Sequence, residues 1–516
     1  MRSGMSVNVA EYEELVASSA IQKKTKETDS LNVVLDVHNL SHLKDTKVSV
    51  TDDSPKYGRD STNGKILVLF SKGQFVNQIA SDDENTPFGI ILDRTPFYAE
   101  QGGQTYDTGV IEIEEKAKFE VQNVQVYGGY VLHVGFLKFG ALKVSEEVLC
   151  SYDEIRRAPV RRNHTATHLL NFALREIVGK EVDQKGSLVN PNRFRFDFSC
   201  KKPIANEQID QIERIVQSFI DRDEEVFFRN TQLHVAKQIA GLRAVFGEVY
   251  PDPVRVLSVG YSVEDLMADP SSEKWANTSI EFCGGTHVAR TSDIRSFVVT
   301  NELGTAKGIR RIVAVTGNDA RRAVEEADRF AKKIDEIRTL LGKELNLAVI
   351  QLVKELDAAG EDSTLPLLRK EVFRKDLADL KKKFDDEDKA FKAAKQEEAL
   401  KKFKEAVDPN VPYVVEILDI GSNSKIAIAA ANVIDKAACM ILSADEETQK
   451  VLYIARVPKH LIDQGFSAKD WCGQLAQVLG GKSGGSDASS QGSGTNMTSL
   501  QEAKQIATEY AKSKVK

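Results

Sequence analysis

Two short segments carry residues whose types and spacing suit a metal ion. His164-Thr165-Ala166-Thr167-His168 puts two imidazoles four residues apart at the start of a predicted helix, so both project from one face and can share an ion. Cys283-Gly284-Gly285-Thr286-His287 adds a thiolate and a third imidazole, and its two glycines allow a tight turn that lets both side chains converge. Three nitrogens and one sulfur suit Zn²⁺. Either pair alone also reads as ordinary packed or exposed residues, but together they use three of the chain's eight histidines. Thr165 stands where the Glu of H-E-X-X-H would, so the general base of a metalloprotease is absent. Four protein ligands make the closed tetrahedral set of a structural zinc, whereas a catalytic zinc keeps one position open. The spacing leaves both roles open.

The elements that must position these residues follow from the pattern of apolar positions. The expected class is α+β and multidomain. Residues 1–60 are polar and mixed. Residues 61–152 contain short β-rich runs, Ile66–Phe70, Phe88–Leu92, Val110–Ile113 and Phe119–Phe136 around a Gly128-Gly129 turn, and predict a small β-barrel. Residues 153–318 predict an α+β domain holding the metal ligands. Its first helix begins after Asn163 and buries Leu169, Leu170, Ala173, Leu174 and Ile177. A strand at Arg193–Phe198, an amphipathic helix at Asn206–Arg222 and strands near Val254–Val259, Phe297–Thr300 and Arg311–Val315 complete it. In 319–408, Ala323, Ala327, Phe330, Ile334, Ile337 and Leu341 step by four and three. After a break at Gly360–Pro366, Phe373, Leu377, Leu380 and Phe384 repeat the step, which predicts a helical coiled-coil hairpin. This hairpin serves either as a spacer or, with the last domain, as a homodimer contact. Residues 409–516 predict a small α/β domain with a Gly/Ser loop at Gly480–Gly494.

The 516 residues, 41% hydrophobic and 28% charged, allow roughly three or four domains with real cores. No apolar run approaches the ~20 residues of a membrane span, and Met1–Leu15 does not read as a secretory or transit peptide. Five cysteines in so long a chain are not a disulfide framework; Cys150, Cys200, Cys439 and Cys472 read as reduced, buried thiols and the cytoplasm as the location. The net charge of −7 means that nucleic acid would have to be met by local basic patches. Two are in view. Arg156, Arg157, Arg161 and Arg162 precede the metal helix, and Lys307, Arg310 and Arg311 form a second spot. Both suit phosphate contacts to an acceptor stem, and both also read as solvated surface.

At the metal segments the chain resembles the editing half of alanyl-tRNA synthetases and their freestanding trans-editing relatives. The resemblance is carried by Asn163–Leu170, by Asp183-Gln184-Lys185-Gly186-Ser187-Leu188-Val189, by Glu281–His287 and by Lys307–Ile312. Phe97-Tyr98-Ala99-Glu100-Gln101-Gly102-Gly103-Gln104 matches the family's barrel signature, and the match runs from about residue 31 to the end. It implies that His164, His168, Cys283 and His287 are zinc ligands and that Gln184 and Thr167 lie in the amino-acid pocket. The implied activity is hydrolysis of tRNA for alanine mischarged with Ser or Gly, without charging, since nothing here hosts a class II adenylate-forming core and residues 1–60 resemble the tail of a tRNA-binding region. Taken alone, Gln184 reads as a turn residue. Gly480–Ser486 resembles the family's Gly-rich loop but departs from it at Ser483 and Ser486. The alternative is a non-catalytic paralogue or fragment that binds tRNA or a protein.

Overall fold

The computed structural model describes residues 31, 33–81, 86–245, 248–358, 360, 363–408 and 410–515, so within the segment 1–60 the reading of residues 1–30 lies outside it. The chain divides into two compact units, Met1–Asp335 with Val353–Lys375 and Glu336–Leu352 with Asp376–Lys516. The class is mixed α/β, and among the described residues no helix is long and apolar enough to cross a membrane.

The first unit opens with helix α1 (Val37–Asp45) and eight strands: β1 (Thr62–Ser71), β2 (Gln74–Val76), β3 (Gln78–Ala80), β4 (Pro87–Leu92), β5 (Gly109–Ile113), β6 (Ala117–Tyr127), β7 (Tyr130–Lys143) and β8 (Glu147–Tyr152). Six of them close a ring in the order β1-β4-β7-β6-β5-β8, with β8 pairing back to β1. Alternation explains why the apolar runs are continuous. Ile66, Ile90, Leu92, Phe119 and Val121 fill the barrel, while Val68, Phe70, Ile91, Leu132 and Val134 point outward and are covered by Leu35 and by Leu43 of α1. Inside the wall His133 is fully buried, bonded to Thr95 Oγ1 (2.7 Å) and the Ile90 carbonyl (3.0 Å).

The helix that carries the first two candidate ligands starts earlier than the sequence predicts. Helix α2 runs from Glu154 to Ile177, capped by Asp153, whose carboxylate accepts from the Ile155 and Arg156 amides. It runs through Pro159, which removes one backbone hydrogen bond in the early turns. The four arginines therefore sit on this helix, not ahead of it. Leu169, Leu170, Ala173 and Leu174 are buried, against Ile209, Ile212, Val216 and Phe219 of helix α3 (Asn206–Arg222) and Phe194, Phe196 and Phe198. Those phenylalanines lie on β10 (Phe194–Ser199) in an antiparallel sheet ordered β14 (Phe297–Ala306), β15 (Ile309–Thr316), β10, β9 (Gln184–Val189). A second sheet, β11 (Val226–Thr231), β12 (Val254–Val259) and β13 (Ile280–Phe282), ends one residue before Cys283.

Three helices follow where the sequence predicts a two-helix hairpin: α4 (Gly317–Ile337), α5 (Gly342–Asp357) and α6 (Leu367–Ala406). The step from Ile337 to Leu341 is again four residues, so periodicity runs across the break between α4 and α5 without registering it. Leu341 itself is 68% exposed. Within the first unit α4 meets α6 through Phe330 and Phe373, with ring centroids 5.1 Å apart.

The second unit holds a sheet ordered β16 (Tyr413–Ile417), β17 (Ala438–Asp445), β18 (Lys450–Arg456), β20 (Ser489–Gly494), β19 (Lys482–Gly485). The Gly/Ser stretch predicted as a loop is thus a hairpin on that sheet. Its composition has weak strand propensity, and pairing with β18 overrides it. Gly492 admits the Tyr453 ring, which any side chain there would strike. Cys150, Cys439 and Cys472 are buried, whereas Cys200 is partly exposed.

Burial pushes His133 down to about 4 from an ordinary 6.5. Its folded pKa lies below the unfolded one, so stability is whole above about pH 6.5 and falls as the unfolded chain takes up the proton, by up to ~3 kcal/mol near pH 4. His133→Asn is expected to flatten urea-denaturation midpoints over that window. An unchanged pH slope would refute the assignment.

Candidate metal centre

His164 and His168 lie one turn apart on α2, and Cys283 and His287 on the segment that leaves β13. The four donor atoms fall within 4.8 Å of one another. Cys283 Sγ is 3.4 Å from His164 Nε2 and 3.3 Å from His287 Nε2. Each imidazole has its other nitrogen engaged. His164 Nδ1–H donates to Gln104 Oε1 (2.6 Å), His168 Nδ1–H to Glu281 Oε2 (2.5 Å), and His287 Nδ1–H to Thr165 Oγ1 (3.2 Å), a hydroxyl that itself donates to the Arg161 carbonyl. All three Nε2 lone pairs are thereby left for the centre, which is the tautomer a metal needs. His168 Nε2 is buried and has no hydrogen-bond partner among the described residues. Burial works against an ionised Cys283, yet the surrounding imidazoles hold its thiol well below the usual range. A part-buried thiolate and three converging nitrogens, one of them without a hydrogen-bond partner, fit Zn²⁺.

The turn that brings Cys283 and His287 together uses its glycines unequally. A side chain at Gly284 would meet open space, but at Gly285 it would overlap the His164 ring. Gly285 is therefore required for room, not for a left-handed backbone. The carbonyls of this turn are held from outside. Arg255 Nη1 donates to the Gly285 oxygen (2.8 Å) and Tyr57 OH to the Gly284 oxygen (3.0 Å), with Arg255 stacked 3.7 Å from the Tyr57 ring centre. Glu281 is anchored by Arg243 Nε (3.2 Å) and Asn171 Nδ2 (2.9 Å), and despite complete burial its carboxyl is held low by His168 and Arg243. Tyr57, Gln104, Asn171, Arg243, Arg255 and Glu281 escape a sequence reading as site residues. Gln104 and Glu281 stand inside quoted motifs, and the other four carry no local signal.

A cavity of about 650 Å³ opens beside the quartet, lined by His164, His168 and Cys283 and also by Thr167 and Gln184. The two residues expected in an amino-acid pocket thus line the same cavity as the ligands. Gln184 opens β9, with its amide nitrogen 3.3 Å from Ser187 Oγ. Thr167 Oγ1 donates to the His164 carbonyl (2.7 Å), which leaves its oxygen able to accept. The basic residues divide. Arg157 is wholly buried against Asp107 and the Tyr152 ring, so it has no surface to offer a phosphate. Arg161 is 7% exposed and held by Glu154 and the Tyr152 hydroxyl. Arg310 pairs with Glu302 and Arg311 with Asp197 across the strands. Lys307 is exposed, and Arg156 and Arg162 are half-buried, each with its Nε donating to a carbonyl, of Tyr106 and of Asp293.

Three family models match the chain: residues 1–156 one described as tRNA synthetases class II (A), 254–313 one described as the threonyl and alanyl tRNA synthetase second additional domain, and 410–513 one described as the DHHA1 domain. The chain is 42% identical over 505 residues to an alanine–tRNA ligase of Candida albicans, aligning 95% of this chain with 51% of that one. It is 40% identical over 542 residues to a cytoplasmic alanine–tRNA ligase of Bombyx mori, 99% of this chain and 55% of the relative. A mitochondrial alanine–tRNA ligase of Saccharomyces cerevisiae is 40% identical over 500 residues, 94% of this chain and 50% of the relative. The chain spans about half the length of these curated relatives.

Glu281→Gln removes the main counter-charge of Arg243, itself almost fully buried, and is expected to destabilise the metal-free protein by about 3 kcal/mol in urea denaturation. A midpoint equal to the wild type's would show that the pair does not hold the site.

Proposed function

We propose that this chain, which belongs to the alanyl-tRNA synthetase family, hydrolyses tRNA for alanine that carries serine, and to a lesser degree glycine. What supports the reading is one cavity lined by Thr167, Gln184 and three members of the four-residue cluster, His164, His168 and Cys283. An aminoacyl ester is already activated, so its hydrolysis needs a placed water, a polarised carbonyl and a pocket that admits the wrong amino acid. A seryl hydroxyl can donate to Thr167 Oγ1 and accept from Gln184 Nε2. An alanyl group gains neither bond, so these two polar groups favour serine over it.

His164, His168, Cys283 and His287 would hold Zn²⁺, which when bound supplies Lewis acidity and a fixed point around which the cavity is ordered. Arg156, Arg162 and Lys307 are the basic residues left to meet tRNA phosphates. A cytoplasmic location and a second copy of the chain bound through the helices and the terminal domain belong to the same proposal.

Purified protein with its zinc content measured is incubated with Ser-tRNA and Ala-tRNA for alanine. The expected result is hydrolysis of the seryl ester above background with the alanyl ester spared. Gln184→Ala is expected to lose about 10- to 100-fold in rate, the worth of one hydrogen bond to the substrate hydroxyl. A background rate with normal zinc and retained tRNA binding would instead favour a non-catalytic tRNA-binding role.

A further inference from the structure

One fully buried residue of the metal centre comes from outside the region that carries the ligands. Gln104 lies on the barrel loop between β4 and β5 and is 0% exposed. Its carbonyl oxygen accepts from two partners at once, His164 Nδ1–H at 2.6 Å and the Thr286 backbone amide at 2.9 Å. Its amide nitrogen donates to Thr286 Oγ1 at 2.9 Å. A single side chain therefore ties a ligand on α2 to the middle of the turn between Cys283 and His287. Two features hold it in register. The loop runs beside β9 as an extra strand, with the Val189 amide donating to the Gly103 carbonyl (2.7 Å) and the Thr105 amide to the Val189 carbonyl (2.9 Å). Gly103, at φ +83°, approaches Ser187 so closely that any side chain would collide with it. Gly285, which has no side chain to intervene, leaves space for the Gln104–His164 bond.

We propose that Gln104 is a positioning residue of the metal centre: by accepting from His164 Nδ1–H and from the Thr286 amide it fixes the His164 tautomer and the Cys283–His287 turn together, so that the barrel sets the centre's affinity for its ion. The proposal rests on the reading that the quartet holds a metal. Of the three bonds to ligand Nδ1 atoms, this one crosses from the barrel. Glu281 sits two residues before Cys283, and Thr165 lies between the two histidines of α2. Outer partners of ligating histidines raise ligand basicity and hold the ring, and their loss typically weakens metal binding about 10- to 100-fold.

The test measures Zn²⁺ affinity of the full chain by competition with a chromogenic chelator, and the Co²⁺ absorption spectrum as a report on ligand geometry. Gln104→Met keeps length and removes the acceptor; it is expected to bind Zn²⁺ about 10- to 100-fold more weakly with an altered Co²⁺ band. Gln104→Glu keeps an acceptor for both donors, and the Thr286 hydroxyl can turn to donate to it, so it is expected to bind at least as tightly as wild type. Wild-type affinity in Gln104→Met overturns the proposal, and so does a Gln104→Glu variant as weak as Gln104→Met. If Gln104→Met does not fold, Gln104→Glu decides: affinity below that of wild type overturns the proposal. Cys283→Ser separates the two levels of the argument. If wild type binds Zn²⁺ no better than this variant, the metal reading fails, and Gln104 has nothing to position.

Discussion

Arg157 is fully buried, so its charge must be answered within the protein, and the answer comes from the barrel. The Asp107 carboxylate pairs with it, the carbonyls of Lys56 and Pro96 accept from its guanidinium at 3.0 and 2.6 Å, and the Tyr152 ring covers its face at 3.3 Å. A buried guanidinium tolerates few arrangements, and here both terminal nitrogens are bonded while Nε has no partner among the described residues. These contacts therefore fix the first turns of α2 against the barrel wall. Two turns later the same helix presents His164, at the point where Gln104 from that wall can reach it. The ligand cluster depends on this anchoring as much as on its own residues.

The cluster in turn joins three elements that share little local sequence logic. Helix α2 supplies two imidazoles, the strand end after β13 supplies the thiolate and the third, and the barrel supplies an outer partner. Buried polar groups of this kind are stable only when each is satisfied. Glu281, Arg243, Thr165 and Thr286 meet most of that condition, while His168 Nε2 and Asn171 Oδ1 are buried without a hydrogen-bond partner among the described residues.

Much of this was legible beforehand, and the rest was hidden for physical reasons. The i, i+4 histidines and the Cys–His pair are spacings that survive any fold with a helix and a turn in those places. Alternation marked the barrel strands, and the step of three and four marked α3 with its bounds. The start of α2 was hidden because its first turns are rich in arginine and carry no continuous apolar stripe, and the break before α5 because Leu341 keeps the step. Arg157 shows a deeper limit. Four arginines near one another have the composition of a phosphate surface, and only the fold reveals that one of them is the centre of an ion pair. The glycines at 480–494 show the same limit for backbone, since pairing with β18 forms a strand that propensity opposes.

That hairpin also bears on how the second unit behaves among other proteins. β19 is an edge strand, with its outer hydrogen-bonding row open, and such rows recruit neighbouring chains into shared sheets. Here the strand is short, with side chains only at Lys482 and Ser483 and none at Gly484 and Gly485. A foreign strand arriving there would gain backbone bonds but no apolar grip, and would meet a positive charge at its first position. The composition that makes the segment look like a loop thus lets the sheet end there without inviting aggregation.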